Sequence, residues 1–504
     1  MSSDNLDISM EKKYSADVDV EKAPTPEYGE VETAPLSQSS WIYRRPRIGR
    51  FKSLAYGSAL TQTIIVSWVC FLCPGMFNAL SGLGGGGEVN ADVANDANVA
   101  LYSTFAGLGF FAGSICNLIG VKLTLAIGGT GYSVYTASLL CYKHVYNRGF
   151  VIFGGCYLGL TAGMLWAAQG AVIMSYPREE NKARYIAIFW GIFNLGAVIG
   201  SIVPLAQTMH SSVNSVGDGT YAGFIVLMAV GSALALFMVS PEKTVKEDGK
   251  FVHIEKSMGW KKELLGLVQT LYKEYWVLLL FPMFFSSNWF TTYQFNDFNL
   301  AYFNIRTRSL NNLLYWFAQI MGSAVAALFL DWQRFNRVIR ARVGWGLVFV
   351  LICVIWGGGL AFQLKYTRKS VAESDFVVTD FTHRGYTGYA FLYIFYGMLD
   401  AIFQSYAYWI IGSLSNDTNK LAVYMGFYKS LQSAGAAITY RMDTLNIPYM
   451  NYFASCWALL CGSLIVASPV IWKKIKLTTE GIEDEIPPLA NGLAVDGPVV
   501  PLKE

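Results

Sequence analysis

The chain has 504 residues, of which 53% are hydrophobic, 15% aromatic and only 14% charged, far below the roughly 25% charged residues of soluble domains. That composition excludes an ordinary soluble protein and points to one embedded in lipid. The net charge of +3 is too small to argue for a nucleic-acid partner, and eight cysteines scattered through apolar stretches lack the paired spacing of a disulfide framework or a zinc ribbon.

Residues 1–50 read as a disordered tail. They are polar and acidic, carry Pro24, Pro26 and Pro35, and lack the apolar centre of a cleavable signal. The tail ends in the basic patch RRPRIGRFK, Arg44 to Lys52. A membrane helix needs about 20 mostly apolar residues. Windows of that size predict twelve, at 55–80, 99–119, 121–142, 149–174, 185–207, 220–240, 274–296, 310–330, 343–364, 387–412, 419–440 and 449–472. The polar gap PEKTVKEDGKFVHIEK follows the sixth. The expected organisation is all-α and polytopic: an amino-terminal six-helix bundle over 51–240, a central loop over 241–273, a carboxy-terminal bundle over 274–472 and a tail over 473–504.

Lys and Arg favour cytoplasmic gaps. PREENKAR (Pro177 to Arg184), the central gap, RFNRVIRAR (Arg334 to Arg342) and KKIK at Lys473 all fall on one side, while GGGGEVNADVANDAN and SSVNSVGDG, without one basic residue, fall on the other. Both termini are therefore expected in the cytoplasm. The gap between the ninth and tenth spans, with several basic residues balanced by acids, runs against the pattern. The single sequon, Asn416-Asp417-Thr418, falls in a predicted cytoplasmic gap, so no lumenal acceptor is offered. Nothing marks the host membrane as endoplasmic reticulum, vacuole or plasma membrane.

Within the first span, LCPGMFNALSGLGGGG (Leu72 to Gly87) closes an apolar run with four glycines. Pro74-Gly75 should kink the helix, because proline removes a backbone donor and crowds the preceding turn. Asn78, Ser81 and the glycines should unwind it into a polar loop, as a mobile gate or a flexible exit. Between the second and third spans stands GSICNLIGVK, with Gly113, Asn117, Gly120 and Lys122; the equivalent gap of the second half, ALFLDWQRFNR, contains Asp331, Arg334 and Arg337.

Twelve spans with a long central loop resemble the major facilitator superfamily, whose Gly-x-x-x-Asp-x-x-Gly-basic motif lies where GSICNLIGVK stands. Gly113, Gly120 and Lys122 match, while Asn117 replaces the acid and weakens the pattern. The resemblance implies a cytoplasmic latch, with glycines allowing close helix packing and charges pairing between the halves; ordinary positive-inside residues beside a tight turn would read the same way. The stretches LCPGMFNALSGLGGGG and SYPREENKARYIAIFWGIFNLGAVIGS (Ser175 to Ser201) are similar to the uncoordinated-93-like branch of that superfamily, in its fungal form. That resemblance implies either transport or an accessory role toward a channel or a receptor.

Charges inside a span cost about 2.5–3.5 kcal/mol on insertion scales, so each is a functional candidate. Asp400 in the tenth span and Lys429 in the eleventh lie 16 residues before and 13 after Asn416, at depths that differ by about 4.5 Å. A buried Asp400–Lys429 pair is expected, either as a coupling element that answers to protonation or as a simple pin between helices. Gln404 lies one turn from Asp400 and Gln432 one turn from Lys429. Gln169, Trp190, Asn194, Asn288 and Gln294 complete a set that could line a midplane cavity of the kind the resemblance implies, or serve as interhelical hydrogen bonds. The aromatic residues around them suggest organic cations or amphipathic solutes, while those near span ends read as aromatic belts at the lipid interface.

Catalysis is not expected. His144, His210, His253 and His383 fall in loops or at span ends with no nucleophile, phosphate loop or metal cluster beside them, and no cofactor or metal is called for. The expected partners are the bilayer and a small solute or ion, coupled to protons if Asp400 titrates, with a channel or receptor in the accessory alternative.

Overall fold

The computed structural model describes residues 41–44, 47–48, 51–52, 54–87, 91–178, 182–209, 216–252, 265, 268–269, 271–330, 332, 334–415 and 418–477. The two tails beyond these limits, the middle of the central loop, the sequon's Asn416, Asp331 and the side chain of Asn117 lie outside them.

The described residues build twelve long helices in the expected order, with short helical turns such as Arg368–Ala372 between them: α1 (Ala59–Ser81), α2 (92–119), α3 (Val121–Val145), α4 (Arg148–Ser175), α5 (Lys182–Thr208), α6 (Asp218–Phe237), α7 (275–302), α8 (Ile305–Leu330), α9 (Arg337–Gln363), α10 (Tyr386–Gly412), α11 (Thr418–Thr444) and α12 (Tyr449–Lys473). Seven of them, α1, α4, α5, α6, α8, α9 and α12, are long and apolar enough to cross a membrane by length and composition alone. The other five carry more Tyr, Asn, Gly or Thr, which lowers hydropathy in helices whose polar side chains turn toward protein. Local chemistry sets several starts: Ser58, Asn147 and Asn336 accept the amides of Thr61, Phe150 and Ile339 at 3.3, 3.1 and 2.9 Å, satisfying donors that a helix start leaves over.

Apolar burial divides the molecule in two. Val66, Tyr135, Leu165, Tyr185 and Phe224 share a core drawn from α1 to α6, and Tyr293, Trp356, Tyr396 and Phe453 share one drawn from α7 to α12. Few residues cross over: Ala197 and Val198 of α5 belong to the second core, and Ile305 of α8 to the first. Within a half, small residues bring helices close; a Cβ on Gly155 of α4 would stand 2.2 Å from the Ala97 carbonyl of α2. Between the halves, α2 packs along α11 and α5 along α8. Second against fifth and fifth against second is the pairing that a two-fold relation between two sets of six produces. Tyr102 of α2 stacks on Tyr440 of α11 at 5.6 Å and 9° on that seam.

Helix parity defines two faces. The terminal face holds the start of α1 and the end of α12; the distal face holds the end of α1 and the start of α12. The segment after Ser240 returns to the terminal face, where Val245 accepts from the amide of Ala59 and donates to Gly57, both at 2.9 Å.

Candidate functional site

A chain of polar side chains runs across the second half at mid-depth. Asp400 of α10 is 4% exposed and fully engaged: Gln404 donates to Oδ1 at 2.6 Å, while Gln319 donates to Oδ2 at 2.6 Å and the Tyr315 hydroxyl at 2.9 Å. Gln404 Oε1 accepts from Gln432 Nε2 at 3.1 Å, and Gln432 Oε1 accepts from Lys429 Nζ at 3.0 Å. Asn288 joins through Gln432 at 3.3 Å, and Gln294 through the Tyr315 hydroxyl at 2.8 Å.

The expected direct Asp400–Lys429 pair is therefore replaced by a relay of two glutamines. The cause is the aromatic surroundings of Lys429, whose ammonium lies 5.3 Å from the Trp166 ring, 5.4 Å from Tyr428 and 5.5 Å from Tyr408. Ring faces attract a cation, and here they hold it away from the carboxylate. Trp166 comes from α4, so the cage spans both halves. Trp190 of α5 closes edge-on to Tyr408 at 6.2 Å. Gln169 and Asn194 are buried in the first half, outside this chain; Asn194 Oδ1 meets no hydrogen-bond donor among the described residues.

At the distal face a second polar assembly ties the two halves together. Asp443 of α11 accepts from Asn95 of α2 at 2.7 Å and from Asn296 of α7 at 2.8 Å, and it pairs with Arg368, which also reaches Asp297 at 3.1 Å. Beside it the glycine run is clamped: Arg308 of α8, fully buried, donates to the carbonyls of Leu83 and Gly84 at 2.8 and 2.9 Å, Asn299 to Gly82 at 3.0 Å, and Tyr221 to Gly86 at 2.6 Å. Gly84, Gly85, Gly86 and Gly87 have φ of 76, 55, 63 and 89°, a run of left-handed backbone that L side chains resist. The glycines thus form a buried, clamped turn rather than a flexible exit.

Pro74 and Gly75 lie further down α1, in a π-helical turn over Phe71–Gly75, the register shift that a missing amide forces. There α1 crosses α5 closely, with Gly75 Cβ space bounded by Gly196 at 3.2 Å, so this point is a packed crossing inside the first half. Asn78, half-buried, accepts the amide of Gly82 through its carbonyl at 2.9 Å.

At the terminal face, a Cβ on Gly113 or Gly120 would meet nothing among the described residues, so close packing against them is not what calls for these glycines. Gly120 instead supplies φ of 81° in the one-residue turn between α2 and α3, and Lys122 follows in the first turn of α3. Arg334 and Arg337 form no ion pair with an acid among the described residues.

Sequence reasoning missed Trp166, Tyr315 and Gln319, which look like any apolar-helix residues until the fold brings them to Asp400 and Lys429. It also missed Asn95, Asp297, Arg308 and Asp443. Those four stood in loops because the predicted spans began or ended at 99, 296, 310 and 440, whereas the helices extend several residues further at their distal ends.

Two six-helix halves around a seam with polar groups at its centre define a transporter-type architecture, and the sequence signature of the Major Facilitator Superfamily matches residues 65–440. The chain belongs to that superfamily. Its UNC93-like branch is indicated by 41% identity to UNC93-like protein 1 of Arabidopsis thaliana over 80% of this chain and 88% of the relative. An uncharacterized membrane protein of Schizosaccharomyces pombe is 33% identical over 81% of this chain and 84% of its own. Among solved structures, a proton-dependent oligopeptide transporter matches with a TM-score of 0.56 at 13% identity, covering 84% of this chain and 99% of the other. That match speaks for the fold alone. The protein is a multi-pass membrane protein.

Proposed function

We propose that this protein is a secondary transporter in which the halves 51–240 and 274–472, joined by the loop 241–273, rock about the Asp400–Lys429 relay. The observation that carries the reading is a mid-depth polar chain reaching from Asp400 to a lysine caged by rings from both halves, beneath a distal face tied shut through Asp443 and Arg308. Polar groups that cost energy to bury persist in a membrane where they serve a pathway. The closed distal face corresponds to a state that opens toward the terminal face, which we place in the cytoplasm from the Lys and Arg distribution.

Proton coupling at Asp400 fits the hydrogen-bond count. The Tyr315 hydroxyl has one proton for two acceptor oxygens, Gln294 Oε1 and Asp400 Oδ2; a proton on Asp400 completes the set. The accessory role toward a channel or receptor is favoured by one feature, the neutral Asn117 at the superfamily's acidic position. The test is uptake by purified protein in liposomes against a solute panel under imposed proton and potassium gradients. Gradient-driven uptake that Asp400→Asn uncouples from pH supports transport; no uptake of any solute under any gradient turns the assignment to the accessory role.

A further inference from the structure

Resting on the transporter reading, we propose that the mid-depth site binds an organic anion with a flat apolar body, held at Lys429. A cationic solute is the first expectation for aromatic-rich surroundings, but Trp166, Tyr408 and Tyr428 already surround the protein's own ammonium, which repels a second cation. The carboxylate it would need is out of reach, because Asp400 is 4% exposed and lies within hydrogen-bond distance of Gln404, Gln319 and Tyr315.

Lys429 has the opposite balance. Among the described residues it makes one hydrogen bond, to Gln432, although an ammonium has three protons to give, and it forms no ion pair with a described acid. Lys429, Gln404 and Asn288 are half-buried, whereas Asp400 behind them is buried, so Lys429 belongs to the less buried end of the relay. With a proton on Asp400, the relay carries one positive charge without a counter-charge, which a monoanion neutralises. Rings on both sides of the ammonium offer stacking surface to a planar body. A ligand there touches α4 of one half and α10 and α11 of the other, as a solute that drives rocking must.

Binding is measured on the purified full-length protein by scintillation proximity with three probes on one ring system: 2-naphthoate, its near-isostere 2-naphthamide, and 2-naphthyltrimethylammonium. The expected result is saturable naphthoate binding, with amide and cation weaker by about tenfold or more. Lys429→Gln should lose naphthoate binding by about tenfold or more and Lys429→Arg should keep most of it. Equal or tighter binding of the cation or the amide, undiminished binding in Lys429→Gln, or no saturable naphthoate binding overturns the proposal. If Lys429→Gln does not fold, the three-probe comparison on the wild type decides alone. Because binding is read without a gradient, anion binding with no uptake in liposomes sinks the transporter reading and leaves the site, whereas uptake without anion binding sinks the site and leaves transport.

Discussion

Asn95 of α2 donates to Asp443 of α11 at 2.7 Å, joining residues 348 positions apart across the seam between the halves. Both are buried, at 1% and 5% exposure, and the same carboxylate serves Asn296 and Arg368. This one acid thus connects α2, α7, α11 and the connection between α9 and α10. Groups within one buried network couple by about 0.5–3 kcal/mol. A double-mutant cycle of Asn95→Ala with Asp443→Asn, read as apparent stability in detergent, should give a coupling of about 1–2 kcal/mol. Additive losses would mean that the contact does not hold the distal face.

The glycine turn yields a comparison of two substitutions. Gly84 and Gly120 share a positive φ, of 76 and 81°, and Gly120 combines it with ψ of 156°, so alanine at either costs about 1–3 kcal/mol for the backbone alone. Only at Gly84 would the new Cβ also meet backbone, the Phe295 carbonyl oxygen at 2.3 Å. Gly84→Ala should therefore lower thermal stability by more than about 4 kcal/mol and Gly120→Ala by about 1–3 kcal/mol. Equal losses would contradict the clamped turn.

At the distal surface, Asp380 lies in the connection between α9 and α10 and pairs with Arg306 at the start of α8. Burial alone would raise its pKa, but hydrogen bonds from Arg306, Asn304 and Thr382 outweigh burial and hold it below the usual carboxylate range. The folded state therefore favours the ionised form, a stabilisation present above the unfolded pKa of about 3.9 and lost as pH falls below it. The melting temperature of the wild type should drop more steeply than that of Asp380→Asn below about pH 5. Parallel curves would contradict the pairing.

Asp400 allows a graded test at the relay. Asp400→Asn keeps an oxygen for the surrounding donors, while Asp400→Leu takes the acceptor from Gln319 and Gln404 and leaves the Tyr315 hydroxyl to Gln294. A buried donor left unpaired costs about 1–3 kcal/mol. The leucine variant should lose several kcal/mol of apparent stability and the asparagine variant about 1 kcal/mol. Similar losses for the two would mean that the donors find other partners.

Much of the architecture was legible because lipid leaves a chain few choices. Apolar windows of bilayer length gave the number and order of the helices, and the long polar gap gave their division into halves. The relay was half legible. Asp400 and Lys429 stand out as charges in apolar spans, and Gln404 and Gln432 follow from helical spacing. Their separation was not, because it depends on Trp166, which lies 263 positions before Lys429 in the sequence and is brought over it only by the meeting of the halves. The distal clamp was hidden for another reason. Arg308 and Asp443 sit at helix ends, where hydropathy cannot distinguish a solvated charge from one buried under a glycine turn.

The most direct test of alternating access needs no known solute. Spin labels are placed in a background lacking the native cysteines, at Val145 and Val377 on the distal face and at Leu118 and Trp332 on the terminal face, all exposed positions, one of each pair in each half. Pulsed dipolar spectroscopy in nanodiscs should show two distances for each pair, with changes of pH that lengthen the distal pair shortening the terminal one. A single unchanging distance at both faces across pH and solutes would contradict a rocking transporter.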